Sequence, residues 1–315
     1  MSKIAFVFPG QGSQRVGMMK EFYDKYQVVK DVFKEADEAL DFSMTDLCFN
    51  GPEEDLRLTK NTQPAILTAS VAAMKVLEEH GVKPNMAAGH SLGEYSALVC
   101  AGAMSFSDAV RTVRKRGQYM QEAVPVGKGA MAAIIGLDTG KIEEVCQNVQ
   151  ESMGKAVQAV NYNCPGQIVI AGATEAVQKA ADELKEAGAT RAMLLAVSAP
   201  FHSTLMQPAA DKLALELQKV NFHDANIPVI ANVTAKQEIK VDEIRELLVK
   251  QAAHPVMWES SVRTMLAAEA GIFIEVGPGR VLTGMLRRID KKRIGLNVED
   301  EASLEKTLAY LKEVR

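Results

Sequence analysis

The sequence predicts an α/β fold: a large domain on a mainly parallel sheet, with a smaller ferredoxin-like α+β subdomain inserted into it. Three observations lead there. Short apolar runs alternate with helix-period segments in both the first and the last third of the chain. Between them, residues 130–197 follow the order β-α-β-β-α-β. Gly89-His90-Ser91-Leu92-Gly93 also has the G-x-S-x-G spacing of a strand–turn–helix elbow.

Taken in order, Ile4–Phe8 is an apolar, β-branched and aromatic run closed by Pro9-Gly10, which reads as a buried strand. A helix over 18–40 is expected to follow. Thr62–Glu79 reads as a second helix, with Pro64 in its first turn and His80-Gly81 at its end. Ala87–Gly89 is a short strand and 92–101 a helix. Ser105–Glu122 is a third long helix, opened by a capping box of Ser105 and Asp108. In the middle region, strands are expected at 130–136, 157–162, 167–173 and 191–197, and helices at 139–152 and 174–187. Thereafter 203–220 is helical with a restart at Pro208, 228–233 a strand, 241–253 a helix, 272–276 a strand, and a helix starts at Val281. The expected division is a discontinuous large domain of residues 1–126 and 198–315 around a small one of 127–197.

Composition excludes several classes. The 315 residues are 47% hydrophobic and 24% charged, so disordered, collagenous and low-complexity chains are ruled out. The formal net charge of -4 lacks the basic excess of a nucleic-acid binder. The four cysteines, Cys48, Cys100, Cys146 and Cys164, form no CxxC pair and read as reduced thiols. The N-terminal apolar run is too short for a signal-peptide core, and no stretch approaches the ~18 apolar residues of a membrane span. A cytoplasmic protein without nucleic-acid or membrane partners is expected.

Chemistry concentrates at the elbow. A sharp turn crowds the backbone around Ser91, so both flanking glycines are required, and the helix that follows offers free N–H groups to an oxyanion. Serine needs a base, and there are five histidines. His80 sits at a helix C-terminus, His223 in a polar loop and His254 before Pro255, all of them structural or solvated positions. His90 is adjacent to Ser91, and neighbouring side chains diverge, so it reads as a pocket wall. His202, in Ala199-Pro200-Phe201-His202-Ser203 ahead of a helix, is the remaining candidate; a helix N-terminus keeps imidazole neutral.

Arg116 stands out on its helix. Around the apolar stripe Phe106, Ala109, Val110, Val113, Gly117 and Met120, residues Arg111, Arg114 and Lys115 point away. Arg116 falls at the stripe's edge, either as a snorkelling side chain or as a partly buried guanidinium awaiting a substrate carboxylate. The loop Gly10-Gln11-Gly12-Ser13-Gln14 invites a dinucleotide site, but Arg15 occupies the third glycine position. Gly277-Pro278-Gly279 fits a structural turn equally well. The basic cluster Arg287, Arg288, Lys291, Lys292, Arg293 reads as a solvated face or as a meeting place for phosphates or an acidic partner. No cluster has metal-ligand spacing. On these residues alone, an acyltransferase, a serine hydrolase and a nucleotide-binding module all remain open.

The ordered set of motifs resembles one family, the malonyl-coenzyme A:acyl carrier protein transacylases of fatty-acid synthesis. The shared pieces are Phe8-Pro9-Gly10-Gln11-Gly12-Ser13-Gln14, Thr62-Gln63-Pro64, the elbow with Glu94-Tyr95, Arg116-Gly117, and Asn161 to Gln167. They continue with Pro200-Phe201-His202-Ser203, Gln251, His254 to Trp258, and Glu275 to Gly279. The resemblance implies a hydrolase-like large domain and the transfer of malonyl from coenzyme A to the phosphopantetheine thiol of acyl carrier protein through a seryl ester. It implies Ser91 as nucleophile and His202 as base, with the backbone carbonyl of Gln251 orienting the imidazole. The backbone N–H groups of Gln11 and Leu92 then form the oxyanion hole, and Arg116 binds the malonyl carboxylate. Gln63, Met120, Asn161, Phe201 and His90 complete the substrate pocket. Phe201 resembles the malonyl-selective domains of polyketide synthases, where a bulky ring disfavours branched units. No cofactor is expected, coenzyme A thioester being a substrate, and a monomer is expected.

Overall fold

The computed structural model describes residues 2–197 and 199–314. Among the described residues ten strands form two sheets. They are β1 (Lys3–Phe8), β2 (Met86–Gly89), β3 (Gly129–Ile135), β4 (Val157–Cys164), β5 (Gln167–Ala173), β6 (Arg191–Leu194), β7 (Val229–Ile230), β8 (Gln237–Glu238), β9 (Ala270–Val276) and β10 (Ile294–Val298). The first sheet has the order β10-β9-β1-β2-β7-β8. All its pairings are parallel except β7 with β8 at the edge. Its central strands are buried on both faces, as helices on each side of a parallel sheet require. The continuous apolar run of β1, five of whose six residues are buried, is the clearest case.

The second sheet is antiparallel in the order β4-β5-β3-β6. With the helices Thr139–Met153 and Thr174–Glu186 between its strands, it has the split β-α-β connectivity of a ferredoxin-like unit. A separate hydrophobic cluster, including Ile134, Ile142, Val149, Ile170, Val177 and Leu184, lies under this sheet. The chain leaves and re-enters the parallel sheet on either side of it.

Several boundaries differ from expectation. The helix expected over 18–40 is two, Lys20–Lys25 and Gln27–Leu40, because Tyr26 is extended at φ -108° and ψ 125°. The helix expected from Thr62 begins at Thr59, which moves Pro64 out of the first turn and into the helix. Proline has no N–H for the Lys60 carbonyl one turn back, and Arg114 donates to that carbonyl at 3.0 Å. The strand expected at 228–233 shrinks to β7, since the Ala231 N–H donates to Lys236 and closes a turn into β8. The strand expected to reach Val197 ends at Leu194. Helices Met44–Asn50, Glu53–Arg57, Trp258–Ala267 and Glu301–Val314 and strands β8 and β10 had no counterpart in the sequence reading.

Two helices matter most for the site. Thr59–Glu79 and Phe106–Glu122 pack closely where a Cβ on Gly117 would stand 2.6 Å from the Thr59 carbonyl oxygen. That close approach turns Gln63 and Arg116, on adjacent faces, toward the end of β2.

Candidate active site

The elbow is built by exclusion of side chains. Ser91 follows β2 and precedes the helix Gly93–Cys100, with φ at 52°, a left-handed value that costs a non-glycine residue of order 1–3 kcal/mol. A Cβ on Gly89 would stand 1.9 Å from Gly93, and one on Gly93 would stand 2.2 Å from the Phe8 carbonyl oxygen. Asn232 holds the strained turn from beneath. Its Oδ1 accepts the Ser91 N–H at 2.7 Å while its Nδ2 donates to the Gly89 carbonyl at 2.7 Å. Asn232 lies just after β7, in a segment from which the sequence reading drew no site residue.

Ser91 Oγ and His202 Nε2 are 2.7 Å apart, and His202 Nδ1 donates to the Gln251 backbone carbonyl at 2.8 Å. The carbonyl is an acceptor only, so it fixes the proton on Nδ1 and leaves the Nε2 lone pair for the serine hydroxyl. His202 also has a left-handed backbone, φ 63°. Its imidazole is 2% exposed. Burial, and after it the Arg116 charge, pushes its pKa down to about 3, so the ring is a neutral base at physiological pH.

Arg116 is 1% exposed and has no carboxylate within ion-pair distance among the described residues. Its NH1 donates to Gln63 Oε1 at 2.8 Å; its NH2 donates to Gln251 Oε1 at 2.7 Å and to Ser91 Oγ at 3.1 Å. The guanidinium also lies over the Tyr95 ring at 5.6 Å. Neutral amide oxygens hold the cation in place without cancelling it. Burial lowers its pKa, which leaves a desolvated guanidinium beside the nucleophile. Such an ion is costly unless a partner arrives.

Behind these residues lies a polar knot. Gln251 Nε2 donates to the Ser91 carbonyl at 2.7 Å and to Glu94 Oε2 at 3.0 Å, and the Asn232 N–H also donates to Glu94 Oε2 at 3.0 Å. Gln251 thus ties the base, the arginine and the serine backbone to one buried carboxylate.

The cleft above has a volume of about 110 Å³. That is well under the ~300 Å³ at which whole-ligand pockets begin, so it suits a short acyl group with its carrier left outside. All eleven residues selected from the sequence come to this place. Gln11, Gln63, His90, Ser91, Leu92, Arg116, Met120, Asn161, Phe201 and His202 line the cleft, and Gln251 lies beneath it. Neither the Gln11 nor the Leu92 backbone N–H donates to another backbone carbonyl among the described residues. His90 Nε2 pairs with Asn163 Oδ1 at 2.8 Å, and burial lowers its pKa. Asn161 stands at a register shift in β4, where a bulge re-aims side chains. The opposite wall, Met131, Leu195 and Val197, was not singled out from the sequence. His254 Nδ1 pairs with the Lys250 carbonyl on the surface, and His80 and His223 also lie away from the cleft. The Gly10–Gln14 loop packs against the elbow, a Gly10 Cβ falling 2.6 Å from the His90 carbonyl oxygen. Glu275 accepts from the N–H groups of Leu282 and Thr283, so the Glu275–Gly279 turn caps the helix Val281–Ile289. Among the described residues no cluster of three His, Cys, Asp or Glu side chains could hold a metal, and no helix is long and apolar enough to cross a membrane.

Residues 5–306 match the family model described as acyl transferase domain. The malonyl CoA-acyl carrier protein transacylase of Bacillus subtilis (strain 168) is 49% identical over 313 residues, covering 99% of this chain and 98% of the relative. The chain belongs to the malonyl CoA-acyl carrier protein transacylase family. An acyl carrier protein S-malonyltransferase from Vibrio cholerae O1 biovar eltor, solved as a crystal structure, superimposes with a TM-score of 0.94 at 49% identity. It covers 97% of this chain and 100% of its own. A malonyl-transacylase solved in complex with a type II polyketide-synthase acyl-carrier protein has a TM-score of 0.95 at 48% identity, covering 98% and 100%. Both have the mixed architecture of one parallel-rich and one antiparallel sheet described above.

Proposed function

We propose that the chain transfers a malonyl group from coenzyme A to the phosphopantetheine thiol of acyl carrier protein, supplying fatty-acid elongation, and that Ser91 carries it between the two. The observation that carries the reading is a buried Arg116 guanidinium, with no carboxylate in ion-pair contact among the described residues, 3.1 Å from a serine hydroxyl that is itself 2.7 Å from a neutral imidazole. A nucleophile for a thioester and a receptor for a free carboxylate share one small cleft.

In the first half-reaction Ser91 Oγ attacks the thioester carbonyl as its proton passes to His202 Nε2. The tetrahedral oxyanion is met by the Gln11 and Leu92 N–H groups. Collapse breaks the C–S bond, and His202 returns the proton to the departing coenzyme thiolate. The second half-reaction reverses this with the carrier thiol as nucleophile, so one base and one oxyanion hole serve both steps. The thioester is a substrate, and these residues complete the chemistry by proton transfer and charge stabilisation. Gln63, Met120, Asn161, Phe201 and His90 shape the acyl pocket. Residues 127–197 act as an inserted subdomain that roofs the cleft over a catalytic domain of 1–126 and 198–315. The protein works as a cytoplasmic monomer.

The backbone carbonyl on His202 Nδ1 favours this reading over a serine hydrolase, which ordinarily places a carboxylate there. Intact mass spectrometry after mixing with malonyl-coenzyme A tests it. A malonyl adduct on Ser91 that discharges to holo-carrier protein is expected; no adduct, or equal discharge to water without carrier, rejects it.

A further inference from the structure

We propose that Glu238 is a positioning residue which stays protonated in the folded protein and donates its O–H to Glu94 Oε1, locking the carboxylate that aligns Gln251 and Asn232. The inference rests on the reading above for what the aligned residues do, but its main test does not require catalysis.

The argument begins with unpaired atoms. Glu238, on the edge strand β8, is fully buried, yet neither of its carboxylate oxygens has a hydrogen-bond donor among the described residues. Glu94, fully buried on the helix after the elbow, uses Oε2 for the Asn232 and Gln251 N–H groups but leaves Oε1 without a donor. Three buried oxygens without donors are intolerable in a protein interior, where each lost hydrogen bond costs about 1–3 kcal/mol. The two carboxyl groups are neighbours, each acting on the other's protonation, and their three unpartnered oxygens lie in the same buried region. A single proton between them gives Glu94 Oε1 its donor and makes one Glu238 oxygen that donor, so one of the three oxygens is left without a partner instead of all three.

Chemistry decides which group holds the proton. Burial pushes the Glu94 pKa up to about 7, but its two N–H donors and the Arg116 charge favour its anion, and Glu238 has no such support. Glu238 has no donor to either oxygen among the described residues and faces two acids, Glu94 and Glu243. Burial and the Glu94 charge push its pKa far above the usual carboxylate range. The other buried acid of this sheet gives the contrast: Glu275 receives Leu282 N–H, Thr283 N–H and the Thr283 hydroxyl, so its oxygens are satisfied without a proton. The protonated Glu238 is the last link of a chain: Glu238 O–H to Glu94, Gln251 and Asn232 N–H to Glu94, then His202 Nδ1–H to the Gln251 carbonyl and Ser91 N–H to Asn232 Oδ1.

The test compares Glu238→Gln and Glu238→Leu with the unsubstituted protein. Glutamine supplies a permanent donor to Glu94 Oε1, whereas leucine fills the space with none. Because the folded protein retains a proton that the unfolded chain releases above about pH 4.5, Glu238 makes the unsubstituted protein lose stability as pH rises from 7 to 9, above the range in which the buried His202 acts in the opposite sense. Glu238→Gln is expected to flatten that decline in melting temperature, and to keep kcat/KM for malonyl transfer within about threefold at pH 7. Glu238→Leu is expected to lower kcat at least tenfold with little change in KM, because Gln251 loses its anchor. A Glu238→Gln protein whose melting temperature falls with pH as steeply as the parent overturns the proton assignment. Equal kcat for Gln and Leu variants overturns the positioning role. If Glu238→Leu does not fold, the pH dependence of the Gln variant still decides the first point and its kcat against a Glu94→Gln variant the second. If Ser91 takes no malonyl group at all, the proposed function fails while the melting curves still judge the proton.

Discussion

The two walls of the cleft are made differently. The floor, from the parallel sheet and its helices, is polar and bonded throughout: Ser91, His202, Arg116, Gln63, Gln251, Asn232 and Glu94 form one continuous hydrogen-bonded network. The roof, from and beside the antiparallel sheet, is mainly apolar, Met131, Leu195 and Val197 making no directional side-chain bonds, with Asn161 of β4 its one polar side chain in the cleft among the described residues. Floor atoms must lie within tenths of an ångström of reacting atoms, so they sit on glycine-locked and strained backbone. The roof only has to exclude water and set size. Substitutions on the floor should therefore cost orders of magnitude in rate, and those on the roof should change which acyl group fits.

Ser91→Ala gives the largest effect. Removing the nucleophile should lower malonyl transfer by on the order of 10⁴-fold or more and abolish the mass adduct, while the fold survives, since alanine keeps the same Cβ in the same left-handed turn. Residual transfer within tenfold of the parent would mean the floor is not where the acyl group is held.

Arg116→Ala comes next. Truncating one partner of a desolvated charge pair costs about 2–5 kcal/mol, or roughly 30-fold to several thousandfold in kcat/KM for malonyl. Acetyl transfer, lacking the carboxylate, should fall much less. Steady-state rates with both thioesters check this, and an unchanged malonyl-to-acetyl ratio would remove the carboxylate from the argument.

What the sequence could and could not reveal follows the same division. Ser91 was legible because its turn forces glycine at fixed spacing, and Arg116 because a helix reports which face a cation occupies. His202 came by elimination, since its 111-residue separation from Ser91 leaves no local trace. Asn232 and Glu238 were missed: β7 and β8 are two residues each, too short to carry any periodicity. Glu94 was visible only as part of a motif, because burial, not spacing, makes it an anchor. Met131, Leu195 and Val197 read as ordinary strand residues, and only the packing of one sheet over the other turns them into a wall. The parallel sheet and the inserted βαββαβ order were readable from alternation, whereas the C-terminal strand β10 and its helix were not singled out.

The buried base gives a third, smaller effect, readable in stability. His202 titrates near 6.5 when unfolded but is held near 3 in the fold. Its folded pKa is depressed, so below about pH 6.5 the unfolded chain binds a proton that the native state refuses, and stability falls as pH falls. From pH 7 to pH 5 this amounts to about 2 kcal/mol. His202→Asn should remove that share of the acid sensitivity, seen as a shallower drop in chemical-denaturation midpoint. An unchanged slope would mean the imidazole is more hydrated than its burial implies.

The smallest effect belongs to the roof and is the sharpest test of the contrast. Leu195 lines the cleft from the segment after β6, and its N–H donates to the Met131 carbonyl at 2.9 Å, so truncating its side chain leaves the wall's backbone tied down. Leu195→Ala opens space for roughly one branched methyl group, and a methyl in an apolar pocket is worth about 1–3 kcal/mol of discrimination. Malonyl transfer should change less than about tenfold, while methylmalonyl transfer should gain on it by about fivefold or more. The measurement is the ratio of the two kcat/KM values in competition, with carrier saturating. A hundredfold loss of malonyl transfer at unchanged stability would show that the roof takes part in aligning the reacting atoms, and the two walls would no longer differ in kind.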